Sequence, residues 1–195
     1  MPKALAVLVL AGVPLVAAAA PDAFTIDPFH SSVLFAIDHL GLSTVHGRFD
    51  KFAGKFSLDR AAKKGEVELT IDTASVDTND NDKGSRQRSR DEHLRSADFF
   101  NAAEFPKMTY KSTNVVFSGD NPTTIEGNLT LLGVTKPVTI KLERFKCSAA
   151  TATAKERCGG DGTGKVKRSD FGMSRGIPQI GDELVLTVSF EANKD

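Results

Sequence analysis

The feature that most constrains this chain is an alternation of apolar and polar residues with a period of two, set out first in the stretch FHSSVLFAIDHLGLSTVHGRF from Phe29 to Phe49. Val33, Phe35 and Ile37 alternate with Leu34, Ala36 and Asp38, as a half-buried strand requires. His39 has the parity of the apolar set, so a period of two sends its imidazole to their side, at the strand end where Gly41 and Ser43 let the chain turn. Val45, Gly47 and Phe49 then repeat the alternation, which predicts a hairpin with an apolar inner face.

The same pattern recurs along the chain. Phe24 to Asp27 reads as a first short strand closed by Pro28. Phe52, Phe56 and Leu58 carry an even-numbered apolar face after the odd-numbered Phe49, which predicts a bulge near Ala53 and Gly54. Val67, Leu69 and Ile71 alternate with Glu66, Glu68, Thr70 and Asp72, the mark of a sheet with one wet face. Further strands are predicted at Lys107 to Phe117, Thr123 to Leu132, Val138 to Phe145, Gly164 to Phe171 and Glu183 to Glu191. Between Asp77 and Arg95 the alternation stops, and no apolar residue occurs before Leu94. That segment reads as a solvated excursion with one helix from about Ser85, capped by Ser85 itself, its far end pinned by Leu94, Phe99, Phe100 and Phe105.

About eight or nine strands joined by short loops imply antiparallel neighbours, and a sheet of that size pairs with another or closes. The expected fold is therefore all-β, an eight-stranded antiparallel lipocalin-like barrel with one short helical excursion. Such a barrel is either filled by its side chains or just wide enough for one small ligand. Its inner faces here are mostly medium-sized aliphatics, with no Trp and one Tyr in the chain. By parity, the expected lumen residues are Val33, Phe35, Ile37, Phe49, Val67, Leu69, Ile71, Ile125, Leu129, Leu131, Leu186 and Val188.

With 195 residues the chain is one domain of ordinary size, and 25 basic against 25 acidic side chains advertise no nucleic-acid partner. The opening MPKALAVLVLAGVPLVAAAA has a basic start, a short apolar run and a small-residue end, the build of a secretory signal peptide. Cleavage is expected after Ala19, leaving a barrel domain over 20–195 and a periplasmic location. Export gives Cys147 and Cys158 two readings, a disulfide across a short polar loop or a pair of reactive thiols, and an oxidising compartment favours the first.

Metal ligation finds no support, because no pair among His30, His39, His46 and His93 has the spacing of a known ligand motif. The acidic run from Asp77 fails as a calcium loop, with Asp82 where glycine is needed and Arg88 where the bidentate glutamate belongs. Gly160, Gly162 and Gly164 precede a strand and read as hairpin punctuation. Arg86, Arg88, Arg90 and Arg95 offer either a basic site for an anionic head group or a surface neutralised by its acidic neighbours.

The ordered segments together resemble the YceI-like family, exported polyisoprenoid-binding proteins with a lipocalin-like barrel. The likeness rests on Asp27-x-x-His30-Ser31, the strand from Val33 through His39-Leu40-Gly41, Gly47-x-Phe49, Ser75-Val76-Asp77-Thr78, and Arg90-Asp91-x-His93-Leu94-Arg95 with Phe99-Phe100. Phe105-Pro106, Gly127-x-Leu129-Thr130-Leu131-x-Gly133-Val134-Thr135-Lys136-Pro137 and Arg168-Ser169-Asp170-Phe171-Gly172 complete it. The resemblance implies a barrel, often dimeric, whose lumen takes a long isoprenoid or a quinone tail. The segment from Asn79 to Ser89 and the loop between the cysteines are departures from the family pattern.

The reading is a non-enzymatic exported carrier or sequestering protein for an isoprenoid lipid or quinone, needing no other cofactor, with a homodimer and a membrane redox partner as possible associates. His39, Arg90, His93 and Arg95 are the candidate head-group contacts. A histidine satisfied within an ordinary core is the competing reading of His39. An enzyme acting on such a lipid, or a filled barrel working through a protein partner, are the rival functions.

Overall fold

The structure, a computed structural model, describes residues 20–195; the expected signal peptide over residues 1–19 and its cleavage position lie outside the described residues. Among these, eleven strand segments form one sheet. They are β1 (Asp22–Ile26), β2 (Ser32–His39), β3 (Ser43–Phe49), β4 (Phe52–Asp59), β5 (Lys64–Asp72), β6 (Val76–Asp77), β7 (Lys107–Ser118), β8 (Asn121–Leu131), β9 (Val134–Ser148), β10 (Arg157–Lys167) and β11 (Ile180–Lys194). Three of the barrel's staves are broken in two. β1 and β2 both pair with β11 on one side, while on the other β1 pairs with β4 and β2 with β3. β4 in turn pairs with β5, and β3 with β6. Counting β1 with β2, β3 with β4 and β5 with β6 leaves eight antiparallel staves in chain order, with β11 closing on the first. The expected eight-stranded barrel is the one observed.

The breaks have chemical causes. Asp27 accepts from the Phe29 N–H at 2.9 Å and Pro28 lacks an N–H, so Pro28–His30 forms a 3₁₀ turn between β1 and β2. The expected bulge at Ala53 and Gly54 is absent: the ladder runs unbroken from Phe52 opposite Ile71 to Asp59 opposite Lys64. The change of parity falls instead at Asp50 and Lys51, whose N–H groups donate to the Ser75 carbonyl at 3.1 Å and the Ser75 hydroxyl at 3.0 Å.

Two further expectations need correction. The helix does not begin at Ser85. It is α1 (Arg90–Arg95), with Ser89 as N-cap in a reciprocal capping box with Glu92. The strand expected over Gly164 to Phe171 ends at Lys167, because Arg168 turns inward and starts a 3₁₀ turn (Arg168–Phe171). Its buried guanidinium donates to the carbonyls of Gly181, Met173, Arg175 and Ile180 at 2.8 to 2.9 Å, tying down the connection to β11.

The two ends of the barrel are built differently. At one end Cys147 and Cys158 face each other in register across β9 and β10 and are disulfide-bonded. They pack with Phe24, Phe56, Phe145 and Phe190, in which Phe24 stacks on Phe56 with centroids 4.9 Å apart. At the other end the excursion returns through Phe99 and Phe100, both buried, and the Phe100 ring meets Phe49 edge-on at 5.4 Å. The expected pinning of the excursion by apolar residues is observed.

Candidate functional site

Two apolar cavities lie inside the barrel, with ≈ 80 Å³ and ≈ 110 Å³ of space open to the centre of a water-sized sphere. Val33, Leu69, Tyr110, Ile140 and Val188 line both, so the cavities are two lobes of one lumen meeting at a waist. The first lobe lies toward the disulfide end, against Phe56, Phe145 and Phe190, and the second runs to Phe100 beneath the excursion. An apolar cavity of this kind stays dry and favours hydrocarbon.

Strand parity carries most of the lining. Val67 and Ile125 border the first lobe, Phe35, Phe49, Ile71, Leu129, Leu131 and Leu186 the second, and Val33, Leu69 and Val188 both. Ile37 borders neither; it lies beyond Phe35 toward the β2–β3 turn, opposite Val45 and Leu184. Residues that parity reasoning missed include Tyr110, Met108, Ile140, Val166 and Met173. Tyr110 and Ile140 lay within expected strands, and their alternation was the available signal.

Glycine makes room for this lumen. Gly160, Gly162 and Gly164 are not hairpin punctuation but lie within β10, whose hairpin loop is instead residues 149–156. A Cβ at Gly162 would stand 2.8 Å from Ile140 Cγ2, and one at Gly164 2.6 Å from Ile140 Cδ1. Ile140 therefore lies flat over β10 where a larger residue would push it into the lumen. Gly127 does the same for Tyr110, whose hydroxyl proton is shared by the carbonyls of Ile125 and Val138, each 3.0 Å away. Burial, and secondarily the charge of Glu126, push the phenol above its ordinary pKa, so it stays a neutral donor.

None of the candidate head-group residues lines either lobe. His39 is half-buried at the end of β2, between Ser43 and Ile180 in register, and lines neither lobe. Arg90 donates to the Thr78 hydroxyl at 2.8 Å and pairs with Asp80 at 3.4 Å. His93 lies 2.8 Å from Asp98, which also pairs with Arg88; the Arg88 hydrogen bond first, then His93, holds that carboxyl below its usual range. Arg95 donates to the carbonyls of Ala74 and Val76 at 2.8 and 2.9 Å. Arg95 ties α1 to the segment before β6, and His93 holds the excursion to itself; none of the four lines either lobe, and Arg90 shares an outer groove with Leu34 and Phe35, which border the second. The reading of the arginine group as a neutralised surface is the one the contacts favour.

A family described as the YceI-like domain matches residues 24–192. A protein called Protein YceI from Salmonella arizonae is 40% identical over 163 residues, which cover 83% of this chain and 81% of that protein. The crystal structure of Burkholderia cenocepacia BcnA is similar with a TM-score of 0.71 and 25% identity, covering 86% of this chain and 99% of that one. A polyisoprenoid binding domain from Saccharophagus degradans, implicated in plant cell wall breakdown, shares the fold with a TM-score of 0.63 and 17% identity, over 89% of this chain and 99% of that domain.

Proposed function

The chain belongs to the YceI-like family, and from that premise we propose that it is an exported, non-enzymatic protein that carries or sequesters an isoprenoid lipid or quinone in its lumen. The observation that carries this reading is the pair of apolar lobes meeting at Val33, Leu69, Tyr110, Ile140 and Val188. Each buried methylene contributes about 0.8 kcal/mol, so a single five-carbon unit represents roughly 3 to 4 kcal/mol of gross transfer free energy. Part of that is lost in ordering the chain and in leaving a bilayer. Affinity then follows the tail, and selectivity must come from the head.

Binding is favoured over catalysis because the two largest polar side chains lining the lumen, Tyr110 and Arg168, are committed to the fold. The Tyr110 hydroxyl serves two carbonyls, and the Arg168 guanidinium serves four. The signal peptide expected over residues 1–19 and the Cys147–Cys158 disulfide support a periplasmic setting. The isoprenoid class is supported by the family and by the fold shared with the Saccharophagus degradans domain. The test is to purify the protein from its own host without detergent, extract it and identify lipids by mass spectrometry. A co-purifying long-chain isoprenoid or quinone in stoichiometric amount is expected, and its absence under mild conditions would overturn the reading.

A further inference from the structure

At one point of the surface, leucines stand exposed where neither the turn nor the core asks for them. β2 and β3 are joined by a turn closed from the Leu42 N–H to the His39 carbonyl at 3.1 Å, with φ of 62° at Leu40 and 66° at Gly41. A turn with two positive φ angles favours Asn-Gly or Asp-Gly, because a bulky side chain meets a steric penalty in the left-handed region. The core gives little in exchange: Leu40 is 51% and Leu42 83% exposed, and neither joins an apolar cluster among the described residues. The β8–β9 turn uses the same pair, Leu132 at φ 52° and Gly133 at 73°, but there the leucine is half-buried and packs against the core. A Cβ at Gly41 would meet nothing within 4 Å, so the β2–β3 turn projects as a free tip.

The tip belongs to the end of the barrel that closes the second lobe. The Leu40 N–H donates to the Gln179 carbonyl at 2.7 Å, which joins the tip to the loop before β11, where Pro178 is exposed and Ile177 half-buried. Arg168 holds that loop through the carbonyls of Met173 and Arg175, and Arg168 and Met173 border the second lobe. No Lys or Arg occurs from Asp38 to Gly47 or from Gly176 to Asp182. Asp38 is turned onto the Gly41 N–H at 2.9 Å, and Arg175 pairs with Asp98 at 3.3 Å. The apex is therefore apolar, without a cationic rim.

We propose that this tip inserts Leu40 and Leu42 into a lipid bilayer and so docks the second-lobe end of the barrel on a membrane. The choice of a bilayer rests on the lipid-binding reading above, since a protein that carries an isoprenoid exchanges it with the membrane in which that lipid resides. It rests also on area. Two leucines and a proline expose on the order of a few hundred Å², short of the roughly 1,200 Å² that a stable protein interface buries. A fluid bilayer accepts a convex apolar point and needs only the transfer of its side chains into hydrocarbon. With no cation at the apex, the contact is hydrophobic and insensitive to salt.

The chain contains no tryptophan, so Leu42→Trp in the full mature chain installs a single fluorescent reporter at the tip. Titration with phosphatidylcholine vesicles should shift its emission to the blue, equally at low and high salt. Phe29→Trp is the control: Phe29 is 92% exposed, more than either leucine, and lies in the 3₁₀ turn at the far end of β2, roughly 25 Å away. Its emission should not move. Adding Leu40→Asn to the reporter should weaken vesicle binding about tenfold while the denaturation midpoint holds or rises, because asparagine suits the turn better. The proposal is overturned by an absent shift, by an equal shift in the control, by unchanged binding in the asparagine variant, or by a lowered midpoint, which would assign Leu40 to the fold. A blue shift that grows with protein concentration without vesicles would make the tip a contact between copies and overturn it as well. The lumen is judged separately by extraction. A protein that retains an isoprenoid and ignores vesicles keeps its lumen reading and loses this one, whereas tip-dependent vesicle binding without any retained isoprenoid does the reverse.

Discussion

Tyr110 shows how much one side chain settles in a barrel of this size. The chain's single tyrosine places its ring over Gly127, where a Cβ would come within 2.5 Å of Cζ, and spends its hydroxyl on two strand carbonyls. It stands at the waist, so its ring helps set the width of the passage between the lobes. Tyr110→Phe leaves that width unchanged but deprives the Ile125 and Val138 carbonyls of their shared donor. A loss of about 1 to 3 kcal/mol in urea unfolding is expected, with tail binding retained. Parity alone could not nominate Tyr110 together with Val115, since an irregularity between Ser112 and Asn114 puts an even and an odd position on the same face. Ile37 errs the other way: its parity is right and the lobes end before reaching it.

At the scale of elements, the pairing of β9 with β10 illustrates what local signals convey. Cys147 and Cys158 were legible as a bridged pair from their compartment and spacing, and they are opposed in register with Cα atoms 3.9 Å apart. Replacing both by alanine opens a loop of about twelve residues and should cost about 3 kcal/mol in the chain-entropy description, read as a lower denaturation midpoint. The effect should centre on the disulfide end, where the pair packs with Phe24, Phe56, Phe145 and Phe190. The start of β9 was less legible, because Pro137 argues against a central strand. It is tolerated there because the β10 ladder ends at Gly164 opposite Ile140, which leaves Pro137 on a local edge. The helix start was readable and misplaced: Ser89 with Glu92 three residues on is a stronger cap signal than Ser85.

For the whole molecule, the decisive property is that the inward side chains stop short of the barrel axis. Val188 borders both lobes, so Val188→Trp should fill the waist. The substitution is expected to cost about 1 to 3 kcal/mol by overpacking and to cut recovery of co-purifying long-chain lipid, measured per mole of folded protein by extraction and mass spectrometry. A variant that folds and still retains the full complement of long-chain lipid would contradict a lumen threaded through the waist.

The alternation of Val33, Phe35 and Phe49, and of Val67, Leu69 and Ile71, determined a meander of antiparallel strands and which faces turn inward, because a period of two is a property of neighbouring residues. The tertiary structure alone decided where staves break, that β11 closes on both β1 and β2, and that Ile140 lies flat on a row of glycines. It alone also set Arg90, His93 and Arg95 against the chain's own acceptors. Empty space is what remains after side chains from eight staves have been placed together, and no stretch of sequence carries that sum.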